Sequence, residues 1–357
     1  MMIMKDRIYP GKVWLDTDGK RIQAHGGSVL YENGTYYWYG ENKEYSTGTK
    51  KVWTWGIRCY TSTDLYNWKD EGLIIPPDTS NKSSSLHPSK PVDRPHILFN
   101  KRTNKYVCWL KLSGKLGYFT VLTADRILGP YRIVRDRFQP FGLEAGDFDL
   151  WQDENGKEAY IYFEHDHNGI AAARLSDDYT DILPPYNDMF TNIKPPFTRE
   201  GVTHFQHNGK HYLLTSGMTG YVPNPSEAAV SDSPMGSFQV IGNPHKNDSS
   251  SASFNSQISC VFQIPGEKNR YIVMADRWVP KFVMTKEKYE QITRVVAAQY
   301  YKGYKPKIKD YLVTATAPFL GRANTSVANY VWLPMKMEKG VPTIEWYDEW
   351  KVDDEIL

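Results

Sequence analysis

Asn33-Gly34-Thr35-Tyr36-Tyr37-Trp38-Tyr39 runs a turn signal straight into an aromatic strand. Asn-Gly between β-formers is the strongest short hairpin signal, because a type I′ turn needs positive φ at both central positions. The pattern returns four times. It stands as Thr103-Asn104-Lys105-Tyr106-Val107, as Asn155-Gly156-Lys157 before Tyr160-Ile161-Tyr162, as Asn208-Gly209-Lys210-His211-Tyr212, and as Lys268-Asn269-Arg270-Tyr271-Ile272. The first tyrosines fall at 36, 106, 160, 212 and 271, a repeat of roughly 50 to 70 residues. Five hairpins at that period predict five four-stranded blades. The expectation is an all-β, five-bladed β-propeller, with its chemistry where the inner strands converge on the axis.

The 357 residues read as one domain, 1–357, because closed β architectures often spend that length on a single unit. Aromatics make up 14%, which fits blade packing and also a sugar-binding cleft. The net charge is +2 with no basic stripe, so no nucleic acid partner is expected. There is no apolar run of membrane-spanning length, so no membrane partner is expected either. Met1 to Ile8 is too short and polar for a signal peptide. As it stands the chain reads as cytoplasmic, or as secreted if its N-terminus has been trimmed. Cys59, Cys108 and Cys260 each lie in an apolar run and read as buried free thiols.

Second strand pairs follow the hairpins, clearest in Ile57 to Trp68, Ala124 to Tyr131 and Ser231 to Phe238. Ser62 to Trp68 faintly resembles the Asp box of sialidases but lacks its glycine, and reads as a blade turn. Residues 78–91 predict a polar loop. Residues 280–326 predict an insertion in the fifth blade. There Tyr289, Ile292, Val295, Val296 and Tyr300 fall at helical spacing, and Thr285 is placed to cap the start.

Polar residues recur just before each hairpin's first strand: Gln23-Ala24-His25-Gly26-Gly27, Val92-Asp93-Arg94-Pro95, Gly146-Asp147-Phe148-Asp149, Arg199-Glu200-Gly201 and Ser256-Gln257-Ile258. All five predict the start of an innermost strand, which aims several carboxylates at one axial pocket. Crowded carboxylates push their pKa values apart, which suits a general acid beside an ionised partner. The bland reading is a set of groups lining a wet channel. His207 and His211 invite a metal reading, but an Asn-Gly turn separates them, and no metal or other cofactor is predicted.

Five blades, Asp147-Phe148-Asp149-Leu150-Trp151 followed by Asp153-Glu154-Asn155-Gly156, and Glu200 opening blade four together resemble glycoside hydrolase family 43. Gln23 to Gly27, Tyr36 to Lys43, Ser256-Gln257 and Asp276-Arg277-Trp278 are similar to its exo-β-1,3-galactanase branch. The resemblance implies inverting hydrolysis of terminal sugars from β-1,3-galactan, as found in arabinogalactan. It implies Glu200 as the general acid and Asp147 as the carboxylate that raises the acid's pKa. It implies Gln257 as an amide standing in for the base by orienting water. Glu41, Tyr118, Thr219 and Trp278 match or neighbour sugar-contacting positions, and Arg277 lies within the same motif. The family's usual base is an Asp in blade one, where this chain has Gly26-Gly27 with no carboxylate nearby in sequence. His25 and Asp93 are candidate substitutes. Asp93 stands where close relatives carry Glu, and Val202 where they carry proline. The rival expectations are an α-L-arabinofuranosidase or β-xylosidase on the same fold, or a propeller that binds sugar without cleaving it.

Overall fold

The computed structural model describes residues 4–49, 51–319 and 323–354. It contains five antiparallel sheets of four strands, each built from consecutive strands. Blade one holds β1 (His25–Glu32), β2 (Thr35–Glu41), β3 (Ile57–Ser62) and β4 (Lys69–Ile75). Blade two holds β5 (Val92–Asn100), β6 (Lys105–Leu112), β7 (Tyr118–Ala124) and β8 (Arg132–Phe138). Blade three holds β9 (Ala145–Gln152), β10 (Ala159–His165), β11 (Gly169–Leu175) and β12 (Ile182–Met189). Blade four holds β13 (Arg199–His207), β14 (Lys210–Gly217), β15 (Glu227–Ser231) and β16 (Gln239–Gly242). Blade five holds β17 (Gln257–Gln263), β18 (Tyr271–Arg277), β19 (Asn329–Glu338) and β20 (Val341–Ile344). The predicted five-bladed propeller is the fold.

All five turn signals join the first two strands of a blade, but their geometry differs. Glu32 pairs with Thr35 and His207 with Lys210, so Asn33-Gly34 and Asn208-Gly209 are two-residue hairpins. All four of these turn residues have positive φ. Elsewhere the loops are longer. Asn155-Gly156 sits inside a loop bounded by the Gln152–Ala159 pair, and blade five closes from Gln263 to Tyr271.

Apolar side chains fill the spaces between blades. Tyr39, Ile57 and Cys59 of blade one meet Ile97, Cys108 and Leu110 of blade two. Trp109 and Phe119 of blade two meet Phe148 and Phe163 of blade three, and Tyr162 meets Leu213 beyond that. Among the described residues no sheet combines strands from the chain's two ends, so packing closes the ring. Trp14, Trp38 and Trp68 do this against Trp332 and Trp350, with a backbone bridge from Ile8 to Trp350. The three cysteines are buried and free.

The insertion lies between β18 and β19. Helix α1 spans Lys286–Ala297, and the Thr285 side chain accepts a hydrogen bond from Lys288 N at its start. Ile292 of α1 packs on Val222 of blade four and Ala252 before blade five. Tyr300 lies beyond the helix and is half exposed. A second helix, α2 (Ile308–Ala315), follows, and its start carried no recognisable capping signal in the sequence.

Candidate active site

The five inner strands start at one end of the axis, and each carries a β-bulge there. Register shifts separate His25 from Ser28, Asp93 from His96, Glu200 from Thr203 and Ile258 from Cys260. In blade three the shift falls opposite Gly146 and Asp147. Bulges re-aim side chains next to sites. Backbone φ is positive at Gly26, Arg94 and Gly201, each just after a candidate residue. Arg94 is not glycine, and such a conformation persists only where the surroundings hold it. Here its N–H donates to Glu41 Oε1 at 3.0 Å, and its guanidinium reaches Ile258 O and Asp147 Oδ2, each at 3.1 Å.

The bulges also let the second strand of each blade contribute. His25 pairs with Glu41, Asp93 with Lys111, Glu200 with Ser216 and Gln257 with Asp276. Glu164 lies at the shift opposite Gly146. A polar ring from the five second strands thus backs the ring from the first. Glycines make the room. A Cβ on Gly26 would collide with Glu41 Oε1, and one on Gly146 would collide with Glu164 Oε2. Glu41 on β2 thus places a carboxyl group beside Gly26 in space, although none lies near it in sequence.

Asp147 is held by two cations. Lys111 Nζ donates to its Oδ1 at 2.6 Å and Arg94 to its Oδ2. Burial alone would raise Asp147, but Arg94 and Lys111 outweigh it and hold the carboxyl well below the usual range. Glu200 is pushed the other way, to about 8, first by burial and then by ionised Asp147; Glu164 adds to the rise. Two carboxyls with opposed environments give an acid and an anion at neutral pH.

Gln257 is pinned at both ends. Its Nε2 donates to Ser216 Oγ at 3.0 Å, and Trp278 Nε1 donates to its Oε1 at 3.1 Å. Asp93 accepts from Trp53 Nε1 at 2.5 Å and Ser113 Oγ at 3.0 Å. Lys43 Nζ lies 2.5 Å from Glu41 and 3.6 Å from Asp93. Burial pushes Glu41 up to about 8 despite Lys43.

Glu41, Asp93, Asp147, Glu200, Gln257 and Trp278 therefore line one pocket, together with Trp53, Arg94, Lys111, Ser113, Gly220 and Tyr221. The other four expected residues lie outside that lining. His25 is fully buried; its Nδ1 is 2.8 Å from Asp276 Oδ1 and its Nε2 is 3.2 Å from the Tyr330 hydroxyl. With both nitrogens engaged, His25 has no lone pair free for a water. Tyr118 packs on the blade one–two core. Thr219 bonds Val222 O and Asn224, bracing the loop that carries Tyr221. Arg277 donates to Phe254 O and lies over Trp346.

Lys111 had one sequence signal, a lone cation in the apolar run Val107 to Leu112. Trp53 and Tyr221 had none, because they come from loops without periodicity. His207 turns to the Tyr271 hydroxyl while His211 meets His204, so the two do not share a site.

A polar pocket on a propeller axis, with a high-pKa carboxyl beside a clamped carboxylate, is the arrangement that a carboxylate-dependent glycosidase needs. The chain belongs to the glycosyl hydrolases family 43, whose model matches residues 22–302. It is similar to a solved family 43 β-1,3-galactosidase at 29% identity and a TM-score of 0.77, over 97% of this chain and 64% of that one. It thus spans less than two thirds of that protein's length. A second β-1,3-galactosidase, solved with galactodeoxynojirimycin, shares 26% identity at TM-score 0.76, over 96% of this chain and 100% of the other. The fold also matches an exo-β-1,3-galactanase from Phanerochaete chrysosporium solved with β-1,3-galactotriose, at 24% identity and TM-score 0.77, over 98% and 69%. No curated protein matches the chain at a comparable level.

Proposed function

We propose that this glycosidase releases terminal galactose from β-1,3-galactan with inversion, using Glu200 as general acid. The observation that carries the reading is the opposed pair: Glu200 kept protonated beside Asp147, itself clamped by Lys111 and Arg94. Glu200 gives its proton to the glycosidic oxygen as the C1–O bond breaks. Water attacks C1 from the opposite side and loses a proton to solvent, from which Glu200 is reprotonated. Gln257 Oε1 accepts from Trp278 and keeps a second lone pair to orient that water. A pure sugar-binding propeller has no use for an acid held at about 8 beside an anion.

The β-1,3-galactosidase neighbours support galactose as the released sugar. The aromatic wall of Trp53, Tyr221 and Trp278 supports stacking on a pyranose; Tyr221 lies 6.4 Å from Trp53 and 5.4 Å from Trp278 between ring centroids. Glu200→Gln keeps the shape and removes the proton, so turnover of β-1,3-galactan should fall by roughly 100-fold or more while binding persists. Near-normal turnover in that variant would remove Glu200 from the acid's role. Activity confined to aryl α-arabinofuranosides or β-xylosides would reassign the sugar and leave the acid in place.

A further inference from the structure

The inner strands end at the face opposite the pocket, where Gln152 closes β9, His207 closes β13 and Gln263 closes β17. Between blades three, four and five this face opens into a cleft of about 410 Å³, against about 110 Å³ for the axial pocket. We propose that this cleft is a second saccharide-binding site, taking a neutral sugar.

Four features converge there. His204 is 96% buried and lines the cleft, and its Nδ1 has no hydrogen-bond partner. Its other nitrogen lies 3.1 Å from His211 Nδ1. Whichever imidazole donates across that contact, His204 Nδ1 remains a bare acceptor or a bare donor. A hydroxyl satisfies either state, because it both donates and accepts. Gln152 Oε1 is a second buried atom without a partner, and Gln152 lines the same cleft. Buried polar groups are ordinarily paired, and sugar hydroxyls seated deep in the cleft are groups that would pair both. Trp151 supplies the apolar wall. Its indole packs against His204 at 5.0 Å and His211 at 5.1 Å, and the residue is half-buried in the lining.

Charge and size narrow the ligand. The lining holds one acid, Glu154, and one free ammonium, Lys268, both exposed, with amides such as Gln206 between them. No net charge selects an ion. One water fills about 30 Å³, and the cleft is an order of magnitude larger. Among the described residues no group of three His, Cys, Asp or Glu side chains could hold a metal ion. Amide groups, a neutral imidazole and an indole face are the groups that bind uncharged sugars.

The test uses ¹⁵N-labelled Glu200→Gln protein, so that no probe is hydrolysed. The indole N–H signal of Trp151, assigned with Trp151→Phe, is followed during titration with β-1,3-galactotriose, β-1,4-xylotriose and maltotriose. At least one should shift the signal saturably. Gln152→Leu should weaken that response by about tenfold, roughly one decade in Kd, while hydrolysis by the Glu200-containing Gln152→Leu enzyme stays normal. Gln206→Ala provides a second variant should Gln152→Leu unfold by circular dichroism. No shift with any trisaccharide, a shift that both variants leave intact, or a shift produced only by Zn²⁺ or Ca²⁺ would overturn the proposal. The signal sits on the far face, so a failed galactanase reading would leave this result standing.

Discussion

At the residue scale, the proposed acid chemistry depends on how Asp147 is held. Its charge raises Glu200, whereas Lys111 lowers it. The two neighbours therefore make opposite predictions. The acid must be protonated to work, so activity is lost as pH rises through its pKa. Asp147→Asn removes an anion, lowers that pKa, and should move the basic limb of the pH–rate profile to lower pH. Lys111→Met removes a cation and should move the limb to higher pH, with Arg94 still holding Asp147 ionised. Limbs that moved together, or stayed put, would mean that these charges do not govern the acid.

The base is the second residue-scale question. Gln257 and Glu41 both line the pocket. Glu41 Oε1 accepts from Arg94 N, Oε2 lies against Lys43 without a hydrogen bond, and burial pushes the carboxyl up to about 8, so it is largely protonated near neutral pH. The account therefore rests the water on Gln257. Gln257→Ala should lower turnover by roughly 100-fold, the lower end of what a positioned proton acceptor is worth. Azide should then restore cleavage and give a glycosyl azide of inverted configuration. A nearly silent Gln257→Ala beside an inactive Glu41→Gln would transfer the role to Glu41.

At the element scale, the inner-strand positions were legible because each sits at a fixed offset before a turn signal. The second ring was not. Lys111, Glu164, Ser216 and Asp276 each stand one residue before the end of a largely apolar strand, and only the bulge shows that they reach the axis. The bulge leaves no period in the sequence. Glu41 was reachable only through family resemblance. Helix α1 was legible from Ile292 and Val295 at its buried face and from the Thr285 cap. Helix α2 was not, because Ile308, Tyr311 and Leu312 point to solvent and give no core-facing stripe.

The insertion's helices lie outside the pocket lining and support the loop that carries Tyr221, through Ile292 against Val222. Arg277 pairs directly with Asn329, so a short turn can join β18 to β19 in their place. Trimming 280–326 to such a turn should leave the far-UV spectrum of the blades intact. KM for galactan should rise more than kcat falls, and discrimination among aryl-glycosides should weaken as Tyr221 loosens. A trimmed protein that aggregates outright would show the segment to be part of the core.

At the scale of the whole molecule, five sheets each bury both faces against neighbours, and the tryptophan cluster of Trp14, Trp38, Trp68, Trp332 and Trp350 closes the circle. That closure brings blade five beside blade one, which sets Trp278 near Gly26 and puts Gln257 in one pocket with Glu41. The ring was predictable from repeated hairpins and its closure in part from the return to strand at Tyr330 to Pro334, whereas the share of Trp14 and Trp350 was not, because no terminal strand signals it. The same symmetry that gathers polar residues at one mouth gathers others at the far mouth. Only at the first do opposed carboxyls meet.

The most direct test of the central claim is the anomer first released from β-1,3-galactan, read by ¹H NMR before mutarotation. The account predicts α-galactose appearing first, the β-anomer growing in later, and neither forming at a comparable rate with Glu200→Gln. β-Galactose as the first product, or no galactose from the unaltered enzyme, would contradict it.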